Sequence, residues 1–239
     1  MEVLNDLVGY KGLKIYQNTD WFSFSLDSVL LPNFVTLNKN IKTIMDLGCG
    51  NAPIPLILST KTDAKIIGVE LQKDSYDLAV KSVKYNNLED RIQLLNMDMK
   101  DLKQTYSGDS IDIITCNPPY FKYLETSNLN EDEHKIIARH EKMITLEEIL
   151  NISKYLLKNN GILAMVHRTD RLIDIITMFN KYGFEVKKLR FIYPKENTES
   201  NMMLIEGRKN GNTGLKLLPP LYAHNSDGSY TEEVLKMFE

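Results

Sequence analysis

Thr43-Ile44-Met45-Asp46-Leu47-Gly48-Cys49-Gly50 carries a short apolar run directly into a pair of glycines. The run predicts the first strand of an α/β sheet, and the glycines after it let the backbone pass close to a ligand. Small molecules bind to open α/β sheets at the carboxyl ends of the strands, where the strand order reverses. We therefore expect Asp46, Gly48 and Gly50 to lie at a ligand site.

From residue 43 onward, short apolar runs alternate with amphipathic segments, which is typical of βαβ units and a mostly parallel sheet. The last two strand-like runs, Glu185–Tyr193 and Asn201–Glu206, have no helix between them and predict an antiparallel hairpin. The other predicted strands are 43–47, 65–70, 92–97, 111–116 and 161–166, and the predicted helices are 54–59, 74–85, 145–157 and 170–182. The prediction is a Rossmann-like α/β fold with a mostly parallel seven-stranded sheet that ends in this hairpin.

The segment before residue 41 is predicted to be an extension of the main domain, which covers residues 41–239. Leu13–Phe24 alternates in polarity and is rich in aromatic residues, which indicates a small hairpin. A helix then runs towards Phe34, with Asp27 as its expected N-cap. Gly183 is the expected C-terminal cap of the helix over 170–182.

Composition sets the broad class of the protein. Its 239 residues, 43% of them apolar, suffice for one large domain with a buried core. No apolar stretch approaches the ~20 residues of a membrane span and the N-terminus does not resemble a signal peptide, so we expect a cytoplasmic protein. Cys49 and Cys116 show no Cys-x-x-Cys spacing, which argues against a disulfide scaffold or a metal site.

Charge is unevenly distributed along the chain. The net charge of −3 does not by itself suggest a nucleic-acid-binding protein. Residues 181–216, however, hold eight Lys and Arg against four Glu. Lys187, Lys188 and Arg190 in this segment are candidate contacts to a phosphate backbone. A solvated strand-and-loop surface explains the same excess equally well.

Two further acids follow predicted strands. Glu70 ends the second strand, 20 residues after Gly50, where an acid can accept hydrogen bonds from two ribose hydroxyls. Asp98 follows the third strand and can accept a hydrogen bond from an adenine amine. A surface acid and a loop-starting residue are the alternatives for these two positions. The ordered placement of polar residues at successive strand ends carries more weight than any one of them.

Asn117-Pro118-Pro119-Tyr120 follows the strand Ile111–Cys116 and is the candidate catalytic motif. An exocyclic amine on adenine is a poor nucleophile, so its N–H groups must be held by acceptors. The Asn117 side-chain oxygen and the Pro118 carbonyl can serve, and two prolines fix the backbone in advance. Tyr120, with Phe121 beside it, can stack on the base, a contact worth about 1–3 kcal/mol. A strand-terminating turn is the alternative.

Together these motifs resemble the class I S-adenosylmethionine-dependent methyltransferases that act on amino nitrogens. Several further segments resemble the bacterial tRNA1(Val) adenine-N6 methyltransferases, which modify the adenine beside the anticodon, adenine 37. The resemblance extends from about Gly12 to Thr231. The segments are Ala138–Glu141, Phe191–Pro194, Leu204–Lys209, Leu218–Leu221 and Asp227–Thr231.

The resemblance implies S-adenosylmethionine as the donor and tRNA as the substrate, with no metal and no obligate protein partner. Asp46, Gly48, Gly50, Glu70, Asp98 and Asn117 would then lie at the donor, and Asn117 and Tyr120 would hold the target base. Ala52 stands where many relatives have a further glycine, and Pro53 follows it, which predicts a donor loop that is tighter or that binds the donor more weakly.

Arg139 and His140 follow the catalytic motif in a long polar connection. They are either substrate contacts or part of a charge cluster with neighbouring glutamates. His140 is not needed as a general base, because the nitrogen loses its proton easily after methylation.

Three other functions stay open on the sequence. A glutamine methyltransferase that acts on release factors shares the Asn-Pro-Pro-Tyr motif but usually has an N-terminal helical domain, and only about 40 residues precede the first strand here. A methyltransferase for amino groups of rRNA or DNA is the second, although a DNA enzyme normally carries an added recognition region. An RNA-binding subunit without catalysis is the third.

Overall fold

A computed structural model describes residues 1–7, 10, 12–19, 25–118 and 144–238 of the chain. Several predicted site residues lie outside the described residues, namely Pro119, Tyr120, Phe121, Arg139 and His140. The aromatic end of the predicted N-terminal hairpin, residues 20–24, also lies outside them.

The centre of the structure is a mostly parallel sheet. Its long strands are β3 (Thr43–Leu47), β4 (Lys65–Glu70), β5 (Ile92–Asn96), β6 (Ile111–Cys116), β7 (Leu157–Arg168), β8 (Phe184–Tyr193) and β9 (Met202–Lys209). They lie in the order β5-β4-β3-β6-β7-β9-β8, and β9 runs in the opposite direction to the other six. The seven predicted strands are confirmed. Two short strands that were not predicted, β10 (Lys216–Leu217) and β11 (Leu221–Tyr222), pair with β8.

Helices cover both faces of this sheet. Within the described chain they are α1 (Leu26–Phe34), α2 (Pro53–Lys61), α3 (Lys73–Tyr85), α4 (Leu102–Thr105), α5 (Leu146–Leu156), α6 (Leu172–Lys181) and α7 (Glu232–Met237). One apolar core lies between the sheet and the helices α1, α2, α3 and α7, and a second lies on the other face under α4, α5 and α6. The result is the three-layer arrangement expected of alternating strands and helices.

Local sequence explains several helix ends. Thr145 and Glu148 form a reciprocal capping box at the start of α5, as the side chain of each bonds to the backbone amide of the other. The helix α2 begins at Pro53, where a missing N–H costs nothing. Gly183 follows α6 with φ of +78°, which confirms its prediction as a C-terminal cap.

The predicted N-terminal hairpin is present but begins earlier in the chain. β2 (Lys14–Asn18) pairs antiparallel with β1 (Glu2–Asp6), whereas the prediction placed the hairpin within Leu13–Phe24, part of which lies outside the described residues. The ladder packs on α3, where the Ser82 hydroxyl accepts a hydrogen bond from the Tyr16 amide at 2.9 Å. Asp27 as N-cap is wrong, because α1 begins at Leu26 and Ser25 holds the cap position, two residues before the predicted cap. Asp27 is buried in the first turn of the helix. The domain boundary near residue 40 stays a prediction.

Candidate active site

The polar residues predicted at the strand ends meet at one edge of the sheet. β3 pairs with both β4 and β6, so Leu47 lies beside Val69 and Cys116, and Glu70 lies beside Asn96. Because these strands are parallel, the residues that follow them emerge at the same carboxyl edge. The loops that carry Gly48, Asp98 and Asn117 therefore start side by side.

Glu70 fastens the glycine loop to the end of β4. Its carboxylate accepts a hydrogen bond from the Gly50 amide at 2.8 Å and another from the Gln72 amide at 2.7 Å. The Gly48 and Cys49 amides both donate to the Val69 carbonyl. Glu70 is 7% exposed and faces the small pocket described below.

Asp46 lies beneath this loop and is fully buried. The Thr115 hydroxyl on the neighbouring strand β6 donates to Asp46 Oδ1 at 2.6 Å, while Oδ2 has no hydrogen-bond partner among the described residues. Burial raises the pKa of Asp46 to about 7, and the charge of Glu70 acts in the same direction. An acid in this position binds a proton close to neutral pH.

We expect Asp46→Asn to remove a pH-dependent part of the stability. The pKa of Asp46 in the folded protein lies above its ordinary value of 3.8, so between about pH 4 and pH 7 the folded state binds a proton that the unfolded chain has released. This contribution is complete below the ordinary value and is lost as the pH rises through about 7. Denaturant unfolding of the parent and the variant from pH 4 to pH 8 measures this contribution. The difference between their free energies of unfolding should change by a few kcal/mol across this window. A constant difference contradicts the assignment.

A small pocket lies at this edge of the sheet. Gly48, Val69, Glu70, Leu71, Met97, Asp98, Met99 and Ile144 line a pocket of about 20 Å³. That is room for about one water molecule, so a nucleoside requires the lining side chains to move apart. Methionine side chains are flexible and adapt to such changes. The chemistry of the lining fits a nucleoside, since two carboxylates flank an apolar slot.

Asp98 starts the turn after β5, as its position in the sequence predicts. Its Oδ1 accepts a hydrogen bond from the Lys100 amide at 2.9 Å, and its Oδ2 lies 3.2 Å from the Lys100 ammonium. The side chain is 25% exposed. Met97 and Met99 on either side supply the apolar contacts that a flat ring requires.

Asn117 and Pro118 extend directly from the end of β6. Asn117 is half-buried and Pro118 is buried, and neither belongs to a helix or strand. Pro119 and Tyr120 lie outside the described residues, so the geometry of the complete motif stays a prediction.

The three predicted phosphate contacts, Lys187, Lys188 and Arg190, differ in whether an acid lies beside them. The Lys188 ammonium lies 3.3 Å from the buried Glu206 carboxylate, and Arg190 pairs with Glu233 at 2.5 Å. Each of these two cations thus has a carboxylate beside it, and their role as phosphate contacts stays a prediction. Lys187 donates only to backbone carbonyls and keeps its charge uncompensated within the described chain.

Sequence reasoning missed the residues that support the predicted acids. Thr115 holds Asp46 across two strands, and Leu71, Met99 and Ile144 line the pocket. Thr115 had one signal, its position two residues before Asn117 on a strand next to β3. The apolar lining had none, because similar side chains fill the core.

Two absences hold for the part of the chain that the structure describes. No group of three or more His, Cys, Asp or Glu side chains there is placed to hold a metal ion. No helix among those residues has the length and apolar character to cross a membrane.

Comparisons with known proteins show which family this chain belongs to. A profile of the family described as methyltransferase domain matches residues 38–208. The tRNA1(Val) (adenine(37)-N6)-methyltransferase of Flavobacterium psychrophilum is 24% identical over 84% of this chain and 91% of its own length. The protein of the same name from Porphyromonas gingivalis is 27% identical over 98% of this chain and 94% of its own.

Solved structures show the same fold. A predicted O-methyltransferase from Agrobacterium tumefaciens has a TM-score of 0.70 at 18% identity, over 89% of this chain and 95% of that chain. P. horikoshii TYW2 in complex with MeSAdo has a TM-score of 0.61 at 14% identity, over 88% and 72%. At these low sequence identities the similarity shows the fold alone.

Proposed function

This chain belongs to the methyltransferase domain family and has the class I fold, and on that premise we propose that it methylates N6 of an adenine in a tRNA anticodon loop. The proposed target is adenine 37 of tRNA1(Val), and the proposed donor is S-adenosylmethionine. The observation that carries the proposal is the convergence of Asp46, Glu70, Asp98 and Asn117 at one sheet edge, in a chain whose relatives bear that name over most of their length.

The donor residues have distinct proposed roles. When bound, the donor supplies an electrophilic methyl carbon attached to a sulfonium. Glu70, which lines the pocket, would accept hydrogen bonds from the ribose hydroxyls. Asp98 would accept a hydrogen bond from the adenine amine of the donor, and Met97 and Ile144, which line the same pocket, would contact the faces of that adenine ring.

The target nitrogen is held by the residues after β6. Asn117 Oδ1 and the Pro118 carbonyl accept the two N–H groups of the amine, which turns the nitrogen lone pair towards the methyl carbon. Positioning of this kind supplies much of the rate enhancement when the acceptors are fixed in advance. Tyr120 and Phe121 as stacking residues, with Arg139 and His140 as substrate contacts, remain proposals beyond the described residues.

Incubation with a methyl-labelled donor and total tRNA tests the function. We expect label in tRNA, mapped by nuclease digestion to N6-methyladenosine at position 37. A tRNA1(Val) transcript with guanine at position 37 is the matched control and should remain unlabelled. Label in protein or DNA but not in tRNA overturns the assignment.

A further inference from the structure

A second cavity, of about 500 Å³, lies between α1 and the strands β8 and β9. Its lining includes one acid, Glu206, and five cations, Lys187, Lys188, Arg190, Arg208 and Lys216. The chain as a whole carries a net charge of −3, so its average field repels a polyanion. A concave surface with this excess of positive charge is therefore a distinct local feature.

Two of the five cations have structural roles. The Lys188 ammonium contacts Glu206, the Thr36 hydroxyl at 2.7 Å and the Phe34 carbonyl at 2.5 Å, so its three protons face three acceptors. Arg190 donates to Glu233 and to the Pro219 carbonyl. These contacts attach the end of α1 and the C-terminal segment to the sheet. Because each cation has an acid beside it, neither adds net charge to the cavity.

The remaining three cations give the cavity its charge. Lys187, Arg208 and Lys216 have no carboxylate within ion-pair distance among the described residues. Lys187 donates to the Asn212 and Thr213 carbonyls, and Arg208 to the Asn160 carbonyl. Carbonyl partners orient these side chains without neutralising them. Most of the five N–H donors of Arg208 remain available.

We propose that this cavity binds the phosphate backbone of the RNA substrate through Lys187, Arg208 and Lys216; the choice of RNA as the polyanion rests on the function proposed above. Arg208 pairs with Ile162, which pairs with Ile113, four residues before Asn117. The separation is about 13 Å along the strands and about 10 Å across them. A tRNA arm is longer than this distance. One arm can therefore place its target base at the sheet edge and its phosphate backbone at the cavity.

The donor chemistry fits a backbone better than a small free anion. Compact phosphate sites use backbone amides at helix N-termini or in nests. The helical residues that line this cavity come instead from the middle and end of α1 and the end of α7. The available donors are long side chains on strands and loops, which is typical of contacts that position a nucleic acid without reading its sequence.

The test compares two triple variants with the same change of charge. The cavity variant is Lys187→Gln/Arg208→Gln/Lys216→Gln, and the control is Lys65→Gln/Lys84→Gln/Lys154→Gln, three exposed lysines on other elements. Dissociation constants for tRNA are measured from 50 to 300 mM KCl, with donor affinity and melting temperature measured alongside. We expect the cavity variant to bind tRNA about 100-fold more weakly at ~0.1 M salt, and its log–log salt slope to fall by about 2–3. The control should change little, and both should bind donor as the parent does.

Equal tRNA affinity and salt slope in the two variants would overturn the proposal. So would loss of binding of inorganic phosphate or AMP in the cavity variant with tRNA affinity intact, which would identify a small-anion site. If the triple variant does not fold, Lys216→Gln against Lys154→Gln gives the same test with an expected slope change of about one. tRNA binding is measured without turnover, so the result can be interpreted even if the protein does not methylate adenine.

Discussion

Asn117→Ala is expected to lower the rate of methyl transfer by about 10²–10³-fold and to leave donor affinity within about threefold of the parent. The loss corresponds to about 3–4 kcal/mol of transition-state stabilisation, the magnitude found when one preorganised hydrogen-bond group is removed from an active site. The reason is that the target amine loses one of its two acceptors, while the proposed ribose and adenine contacts lie on other strand ends. Single-turnover kinetics with tRNA and calorimetry with donor measure the two quantities separately.

A matched control separates the loss of the amide from general damage. Asn151→Ala removes the same group from an exposed position on α5 and should leave both quantities unchanged. If donor affinity collapses together with turnover in Asn117→Ala, Asn117 supports the structure of the donor site and does not hold the target base. Normal turnover would remove it from the mechanism.

The strands were predictable because each is a short apolar run with a turn signal behind it. Three of them, Thr43–Leu47, Lys65–Glu70 and Ile111–Cys116, have the predicted bounds. β3 ends before Gly48, β6 ends before Asn117, and β4 ends on the polar Glu70, so each apolar run has a clear end in the sequence. The same signal placed Glu70, Asp98 and Asn117 at one edge, because parallel strands share their direction.

Contacts between distant segments were not predictable from local pattern. The hairpin of β8 and β9 was expected, but the position of β9 between β7 and β8 was not. That order depends on which strand of the hairpin pairs with β7, and no local pattern decides it. Likewise, Lys188 and Glu206 are 18 positions apart, and only the strand register brings them together. For this reason the charge count over 181–216 could not show that Lys188 and Arg190 each have an acid beside them.

Glu70→Ala is expected to weaken donor binding by about 10²–10³-fold, more than any other single change at the strand ends. A hydrogen bond to a charged group contributes about 1.5–3 kcal/mol, and the carboxylate is proposed to accept two of them from the ribose. It also accepts from the Gly50 and Gln72 amides, so the variant without donor should be destabilised as well. Calorimetry well below the melting temperature measures the affinity without this second effect.

Two further variants make the result specific to the position of the carboxylate. Glu89→Ala removes an exposed acid from the loop before β5, which makes the same change in net charge, and should bind donor normally. Glu70→Gln keeps the shape and one acceptor oxygen, so its affinity should fall between those of the parent and Glu70→Ala. Because donor stabilises only the folded protein that binds it, the donor-induced rise in melting temperature should decrease in the same order. Unchanged affinity in Glu70→Ala would exclude Glu70 from the ribose contact and restrict it to holding the glycine loop.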